Sequence, residues 1–487
     1  MPTVTYSEQT RYALCDGVTF TTTSAGASLY APPRNVELTD LADGQILALR
    51  TLNQGPKTVS EIAAQAGGAD VAPLLEQLAD GGWLAVTIRD GGRDLYTIRP
   101  FDRPAPRPTH PLPSWSATLS KFAVLHRDCE GFVLEHPRSW CTLRIHDPRL
   151  LALLDGLGSA DANIPIAVKT QFADDLHWCG FLVADDRTEE LEAGTRRWGA
   201  ADLWFHRRST SGAGTGEHRS EFGDGGAESS RVPVRRPGYA GEAVRLSAPD
   251  LRERRASDPS LAAVMEDRIS TRAFDDARPM TVEQLGELLY RTARSRGSDA
   301  RSAARPYPSR DDAYEIELYP VVRDVAGLAP GMYHYDSFEH ELRPVAPADS
   351  LSVRRLLDSS TNAQAASGAP RDGAPSVNGA PPGAGASPVG AGGPQGTASP
   401  AGQPQVLIVL SARAGRALDS YGQVGYATIL QHVGALTQTL YLAGTAMGLG
   451  ICAQPFTEPA AFAAATGNDE LDECGVGAIV VGTPARR

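Results

Sequence analysis

The sequence predicts an α+β fold for residues 246–487, preceded by two winged-helix-like units in tandem. Three observations carry that expectation. Val406-Leu-Ile-Val-Leu410 is a continuous apolar run of strand length. Tyr426 to Met447 places apolar residues at 426, 429, 430, 433, 436, 440, 441 and 447, which is helical spacing. Upstream, one order of elements occurs twice, closing each time on a helix, a glycine, an aromatic residue and an apolar strand.

The first unit spans residues 1–100. Its short strand-like runs are Tyr12–Leu14, Val18–Thr22 and Ser28–Tyr30, followed by a helical run over Leu41–Leu52. Thr58 precedes Glu61 by three residues, the spacing of a capping box. A third helical run, Val71–Ala79, ends at Gly81-Gly82 and leads into Trp83-Leu-Ala-Val86. The second unit, residues 115–206, opens with strand-like runs at Phe122–Leu125, Gly131–Leu134 and Thr142–Ile145. It continues through a helical Pro148–Leu157 and closes on His177–Val183. Residues 207–245 read as a flexible linker, because Gly, Ser and charged residues crowd its first half.

In the last domain, Thr281 to Gln284 fits a second capping box, and Leu285, Leu288 and Leu289 form a buried helical stripe. Tyr314–Val322 alternates as a strand, Tyr333–Leu342 reads as a hairpin, and Val476–Val481 is the last core strand. Gly448-Leu-Gly450 stops the long helix. Between 361 and 405 Gly, Ala, Pro and Ser dominate, too little apolar surface to offset ordering entropy, so a disordered insertion is predicted there.

Bulk composition removes several function classes. A net charge of -12 argues against a general nucleic-acid binder. Winged helices often bind DNA, but the recognition-helix position, Asp70–Asp80, carries three acids and no Arg or Lys, so it would repel phosphates. The same framework can take up a peptide as an added strand, or serve structure alone. No apolar run has the length of a membrane span, and the N-terminus lacks the layout of a signal peptide. Cysteines at 15, 129, 141, 179, 452 and 474 show no metal spacing, so reduced thiols, no metal and a cytoplasmic location are expected. The only lysines are Lys57, Lys121 and Lys169, so no side-chain ammonium is available beyond residue 169.

Arg268-Ile-Ser-Thr-Arg-Ala-Phe274 carries the clearest chemistry. It follows the helical Pro259–Asp267, and in an extended segment Arg268, Ser270 and Arg272 project to one side. Two planar forks flanking a hydroxyl suit a phosphate monoester; on these residues alone a solvated basic turn fits as well.

The order of the pieces resembles the FMN-dependent nitroreductase fold. Over about residues 255–487 it is similar to the azoline dehydrogenases (SagB/ThcOx type) of peptide pathways that make thiazoles and oxazoles. The resemblance rests on Arg268-x-Ser-x-Arg272-x-Phe274, Arg305-Pro-Tyr-Pro-Ser309 with Tyr314–Pro320, and Gly331-Met-Tyr-His-Tyr-Asp336. Tyr421-Gly-Gln-Val-Gly-Tyr426, His432, Gln438, and Leu440-Tyr-Leu-Ala443 through Gly448-Leu-Gly450 complete it. It implies a C-terminal nitroreductase-like FMN domain, with Arg268, Ser270 and Arg272 on the FMN phosphate and ribityl chain. Ser309 would lie near the isoalloxazine, with Pro308 shaping its loop. The backbone at Gly448 and Gly450 would approach the flavin, and Arg486 would be a second phosphate contact. The fold implies a homodimer that shares its flavin sites.

Two departures bear on chemistry. Where relatives place a Lys-Tyr pair, this chain has Ser420-Tyr421, and in place of a glycine-rich run it has Arg310-Asp311-Asp312. The resemblance implies an FMN-dependent oxidation of thiazolines or oxazolines to azoles in a ribosomal peptide. Tyr421 would then be the proton acceptor and Ser420 a solvent-linked relay, with the precursor peptide and a cyclodehydratase as partners. Two other readings stand beside it: an NAD(P)H-dependent nitro or quinone reductase, and a scaffold subunit without catalysis.

Overall fold

The computed structural model describes residues 10–23, 26–31, 34–110, 117–154, 164–210, 232–296, 304–368, 403–454 and 458–486. The chain divides into two compact units, Met1–Phe222 and Gly223–Arg487.

The first unit begins with strands β1 (Thr10–Leu14), β2 (Thr19–Thr23), β3 (Gly26–Ala31) and β4 (Arg34–Thr39), then helices α1 (Asp43–Leu52), α2 (Val59–Gln65) and α3 (Ala72–Asp80). A hairpin of β5 (Leu84–Asp90) and β6 (Arg93–Pro100) follows, then β7 (Thr118–Leu119), β8 (Val124–Asp128), β9 (Gly131–Glu135) and β10 (Cys141–Ile145). A 3-10 turn at Pro148–Leu153, α4 (Ile166–Trp178), β11 (Leu182–Val183), α5 (Thr188–Leu191) and α6 (Ala200–Thr210) complete it. The Thr58 capping box forms: the Glu61 amide donates to Thr58 Oγ1, and the Glu61 carboxylate accepts from the Thr58 amide at 2.8 Å. Leu49, Leu52, Ile62, Leu75 and Leu78 are fully buried, so each apolar helix face closes one core. A single six-stranded sheet, β1-β5-β6-β10-β9-β8, takes strands from both halves. Local patterning shows each run but not this pooling, because β6 and β10 pair across the intervening loop.

The second unit opens with β12 (Val244–Arg245), α7 (Leu251–Ser257), α8 (Leu261–Asp267) and α9 (Val282–Ala293). Next come β13 (Ile316–Val322), β14 (Gly331–Asp336), β15 (Glu341–Pro347) and α10 (Leu351–Gly368). The chain ends with β16 (Val406–Arg413), α11 (Ala414–Tyr421), α12 (Gly425–Ala446), β17 (Gly450–Gln454), α13 (Pro459–Thr466) and β18 (Glu473–Gly482). The seven strands run β12-β15-β14-β13-β16-β18-β17, with every strand pair antiparallel. On one face α9 and α12 bury Leu285, Leu288, Leu289, Ile429, Leu436 and Leu440. On the other, α10 and α13 bury Val353, Leu356 and Phe462 against Tyr319, Val321, Leu407 and Val409. Each such aliphatic side chain contributes about 1.5–3 kcal/mol by leaving water.

Two boundaries differ from expectation. The predicted linker, 207–245, begins inside α6, and its last part is packed rather than flexible. Arg236 Nε donates to the buried Glu473 carboxylate at 2.9 Å, and Tyr239 Oη lies 3.2 Å from Tyr319 Oη. Val234 accepts from the Arg413 guanidinium at 3.1 Å, and Val244–Arg245 joins the sheet. The polar composition of this stretch is therefore spent on buried partners. The predicted insertion, 361–405, starts as a continuation of α10 through Gly368, while residues 369–402 lie outside the described residues. Its end is core: Gln405 is fully buried and begins the approach to β16.

Candidate functional site

Gln405 organises the first of two corners. Its Oε1 accepts from the amides of Met280 and Thr483, each at 2.9 Å, and its Nε2 donates to the Asp275 carbonyl at 2.9 Å. This one side chain ties the segment after the Arg268 motif to the segment before Arg486. The two segments also pair directly: the Asp275 amide donates to Thr483, and the Ala485 amide donates to Ala273, both at 3.0 Å. Arg486 is thereby carried to the end of the strip that holds Arg268 and Arg272.

The motif segment lies along the sheet edge. Ser270 bridges to Ile451 of β17, and the Thr271 amide donates to the Ile451 carbonyl at 2.9 Å. Tyr441 of α12 meets it: its hydroxyl is 3.0 Å from Ser270 Oγ and accepts from the Ala453 amide at 2.8 Å. The Arg268 guanidinium sits 5.3 Å from the Tyr441 ring centre. Arg272 lies near Cys452, whose thiol is raised by burial and partly restored by that charge. Tyr441 reads in the sequence as one more apolar position of the helix; only its spatial neighbours mark it.

The two glycines have separate jobs. Gly448 takes φ +70° directly after α12, the left-handed conformation that ends a helix without a Cβ penalty. A Cβ on Gly450 would lie 2.6 Å from Thr271 Cγ2 and 3.3 Å from Phe274. The close approach that Gly450 allows is thus to the motif segment itself, whereas the expectation assigned it to the flavin.

Among the described residues, Arg268, Arg272 and Arg486 form no ion pair. Nearby Arg278, Arg291 and Arg323 all do, with Asp275, Asp258 and Asp276 respectively. Three guanidiniums on paired segments without an ion-pair partner fit a phosphate group, although the Asp275 carboxyl, lowered chiefly by Arg278, is near enough to Arg486 to be lowered by it too. The donor set therefore suits the phosphate end of FMN.

The second corner surrounds Ser309 and Tyr421. Asp311, Asp312 and Tyr314 all have positive φ, at 48°, 54° and 39°, a strained state for residues other than glycine. Side chains from α11 and α12 hold this loop. His432 Nε2 accepts the Arg310 amide at 2.8 Å, and Arg416 Nε donates to the Ala313 carbonyl at 2.9 Å. The Tyr421 hydroxyl donates to the Arg310 carbonyl at 2.6 Å. Within the loop, Ser309 Oγ accepts the Tyr314 amide at 3.0 Å. Pro308 is exposed beside it.

Behind the loop, His432 Nδ1 is 2.8 Å from Oε1 of Glu315, which is fully buried and whose Oε2 has no partner among the described residues. A backbone amide can only donate, so Nε2 is the bare nitrogen and Nδ1 carries the hydrogen toward Glu315. Ser309 Oγ is 3.4 Å from that same Nδ1. Serine and carboxylate thus share one ring nitrogen, which is not the arrangement of a nucleophilic triad.

Tyr421 and Ser420 differ from expectation. Burial raises the Tyr421 phenol above its ordinary value, the opposite of what a phenolate base needs. Ser420 Oγ donates back to the Arg416 carbonyl at 3.1 Å, one turn earlier in α11, rather than toward Tyr421.

The corners contact α12 at different places. His432 and Tyr441 are nine residues apart on α12, about 13.5 Å along the axis and half a turn around it. Arg268, Ser270, Arg272, Gly448, Gly450 and Arg486 therefore gather on one side of α12. Pro308, Ser309, Ser420 and Tyr421 gather on the other.

Among the described residues, no His, Cys, Asp and Glu cluster is placed to hold a metal ion, and no helix is long and apolar enough to cross a membrane. Residues 265–483 match the nitroreductase family model, and residues 117–215 match that of the cyanobactin oxidase ThcOx. Over 210 residues the chain is 25% identical to "Putative nitroreductase MJ1384" of Methanocaldococcus jannaschii, covering 43% of this chain and 83% of that protein. A nitroreductase-named structure from Anabaena variabilis is 15% identical, with a TM-score of 0.39, covering 98% of this chain and 80% of that one. The microcin synthetase McbBCD complex of E. coli, with truncated pro-MccB17 bound, is 19% identical with a TM-score of 0.34, covering 52% and 77%. The C-terminal unit is a nitroreductase-family domain, and it follows a segment that matches the cyanobactin oxidases.

Proposed function

We propose that this protein is an FMN-dependent dehydrogenase that oxidises thiazolines or oxazolines in a ribosomally made peptide to thiazoles or oxazoles. The observation that carries the reading is the pairing in one chain of a nitroreductase domain with a cyanobactin-oxidase segment. Small-molecule reductases have no need of such a segment. Its winged-helix-like units would dock the precursor peptide or a cyclodehydratase partner, and the setting would be cytoplasmic.

Arg268, Arg272 and Arg486 would hold the FMN phosphate, with Ser270 supplying a hydroxyl and Ser309, beside Pro308, bordering the ring. Bound FMN supplies the hydride acceptor for aromatisation. The other hydrogen leaves the α-carbon as a proton. Water would accept it, with the Tyr421 hydroxyl, its own hydrogen held by the Arg310 carbonyl, taking a hydrogen bond from that water and so placing it. So weak an acceptor suffices because the forming azole gains aromatic stability.

A site that uses both corners would draw on two copies, as the resemblance implies for a flavin shared between protomers. The apolar residues left exposed on α12 and around α8 support a homodimer: Tyr426 at 43% and Leu430 at 38%, with Leu261, Met265 and Ile269 above half. The test is anaerobic. The purified protein is assayed for bound FMN, then mixed with a thiazoline-containing peptide. Flavin bleaching with loss of two hydrogens from the peptide supports the reading. Bleaching by NAD(P)H alone points to a nitro or quinone reductase. A colourless protein points to a scaffold, the reading that Ser420 in the lysine's place would favour.

A further inference from the structure

We propose that His432, oriented by the buried Glu315, is a positioning residue that sets the Tyr421 hydroxyl through the backbone of Arg310. The inference rests on the proposed azoline oxidation and adds to it a residue for the site's proton-handling side. Arg310 is held at both its polar backbone groups: its amide donates to His432 Nε2 at 2.8 Å, and its carbonyl accepts from Tyr421 at 2.6 Å. These bonds come from opposite ends of a link 122 residues long in one case and 111 in the other, so neither is a local turn contact.

The loop needs such a clamp. Three non-glycine residues in four are left-handed, each costing about 1–2 kcal/mol, so the conformation persists only if its surroundings over-determine it. Most of the side-chain bonds that hold it come from helices α11 and α12: Arg416, Tyr421 and His432. His432 differs from the other two. It is buried and its second nitrogen is fixed by a carboxylate with no solvent exposure, so its ring cannot turn without stranding Glu315. The acceptor at Nε2 is therefore held in place. Release of His432 would free the Arg310 amide, relax the loop and take away the carbonyl that aims Tyr421.

The test compares His432→Leu, His432→Gln, Tyr421→Phe and the double variant Tyr421→Phe/His432→Leu in the full-length, flavin-loaded protein. His432→Leu should lower kcat for a thiazoline peptide about 100-fold, the scale of one lost proton-handling group, while KM changes little. Gln carries an acceptor near the former Nε2, so His432→Gln should recover most of that loss. The double variant should be no slower than Tyr421→Phe, because His432 acts only through Tyr421. Hydrogen exchange across 309–314 should accelerate in His432→Leu. Effects that multiply in the double variant, no recovery with Gln, or unchanged exchange would overturn the proposal. If wild-type protein leaves the thiazoline untouched, the proposed function fails by itself, and the exchange measurement still decides whether His432 clamps the loop.

Discussion

The arginine strip and the Tyr421 corner flank the same helix but differ in what their polar groups are left wanting. Arg268, Arg272 and Arg486 lie on segments joined by backbone pairing to β17 and to the C-terminal segment, yet none forms an ion pair among the described residues. In the Tyr421 corner almost every donor is already used inside the protein: Arg310, Ala313 and Tyr314 are bonded to Tyr421, His432, Arg416 and Ser309. The first corner is built to receive charge. The second is built to hold a shape, and accepts backbone strain to do so. A ligand's place is thus better read from missing partners than from the density of polar residues.

The largest effect is expected at the strip. Replacing both Arg268 and Arg272 by Ala should weaken flavin binding about a thousandfold, since each charge-assisted bond is worth about 1.5–3 kcal/mol. Flavin absorbance after gel filtration measures it, and an unchanged flavin content would break the contrast between the corners. Tyr421→Phe should slow azoline oxidation about 100-fold while leaving flavin content alone. Full activity in that variant would remove Tyr421 from the chemistry.

Gln405→Ala probes what assembles the strip. It strands the buried amide of Met280, at about 1–3 kcal/mol, and the partly buried amide of Thr483, so Tm should fall and flavin binding should weaken with it. Gly450→Ala should cost about 1–3 kcal/mol, because its Cβ would collide with Thr271. If flavin affinity is insensitive to Gly450→Ala, the motif segment need not lie against β17. The smallest effect is a flat profile. With its phenol raised above the ordinary value, Tyr421 stays protonated across the neutral range, so no Tyr421-linked rise in rate is expected between about pH 7 and 9. A rise there would mean that the phenolate is the active form.

Legibility followed the length scale of the cause. The capping boxes at Thr58 and Thr281 formed as their three-residue spacing required, and α9 buries the stripe at Leu285, Leu288 and Leu289. The Arg268 motif was visible because its three polar residues alternate in one short stretch. Arg236 and Tyr239 fall in a linker-like stretch and Gln405 in an insertion-like one, because each has a polar or low-complexity neighbourhood. Their partners, Glu473, Tyr319 and Thr483, are between 78 and 237 residues away.

By itself, the sequence determined the helices capped at Thr58 and Thr281, the long helix α12 and the apolar strand β16, where the guanidiniums cluster, and that no lysine serves the second domain. Those are consequences of period, capping and composition, all of which act within a few residues. Only the tertiary structure decided that Thr271 fills the space over Gly450. It also decided that Tyr441 and Gln405 assemble the strip, and that His432 grips Arg310 on the far side of α12. Each depends on the register between distant strands and on the helical phase of one long helix. Those are set by how whole faces pack, and no local pattern encodes them.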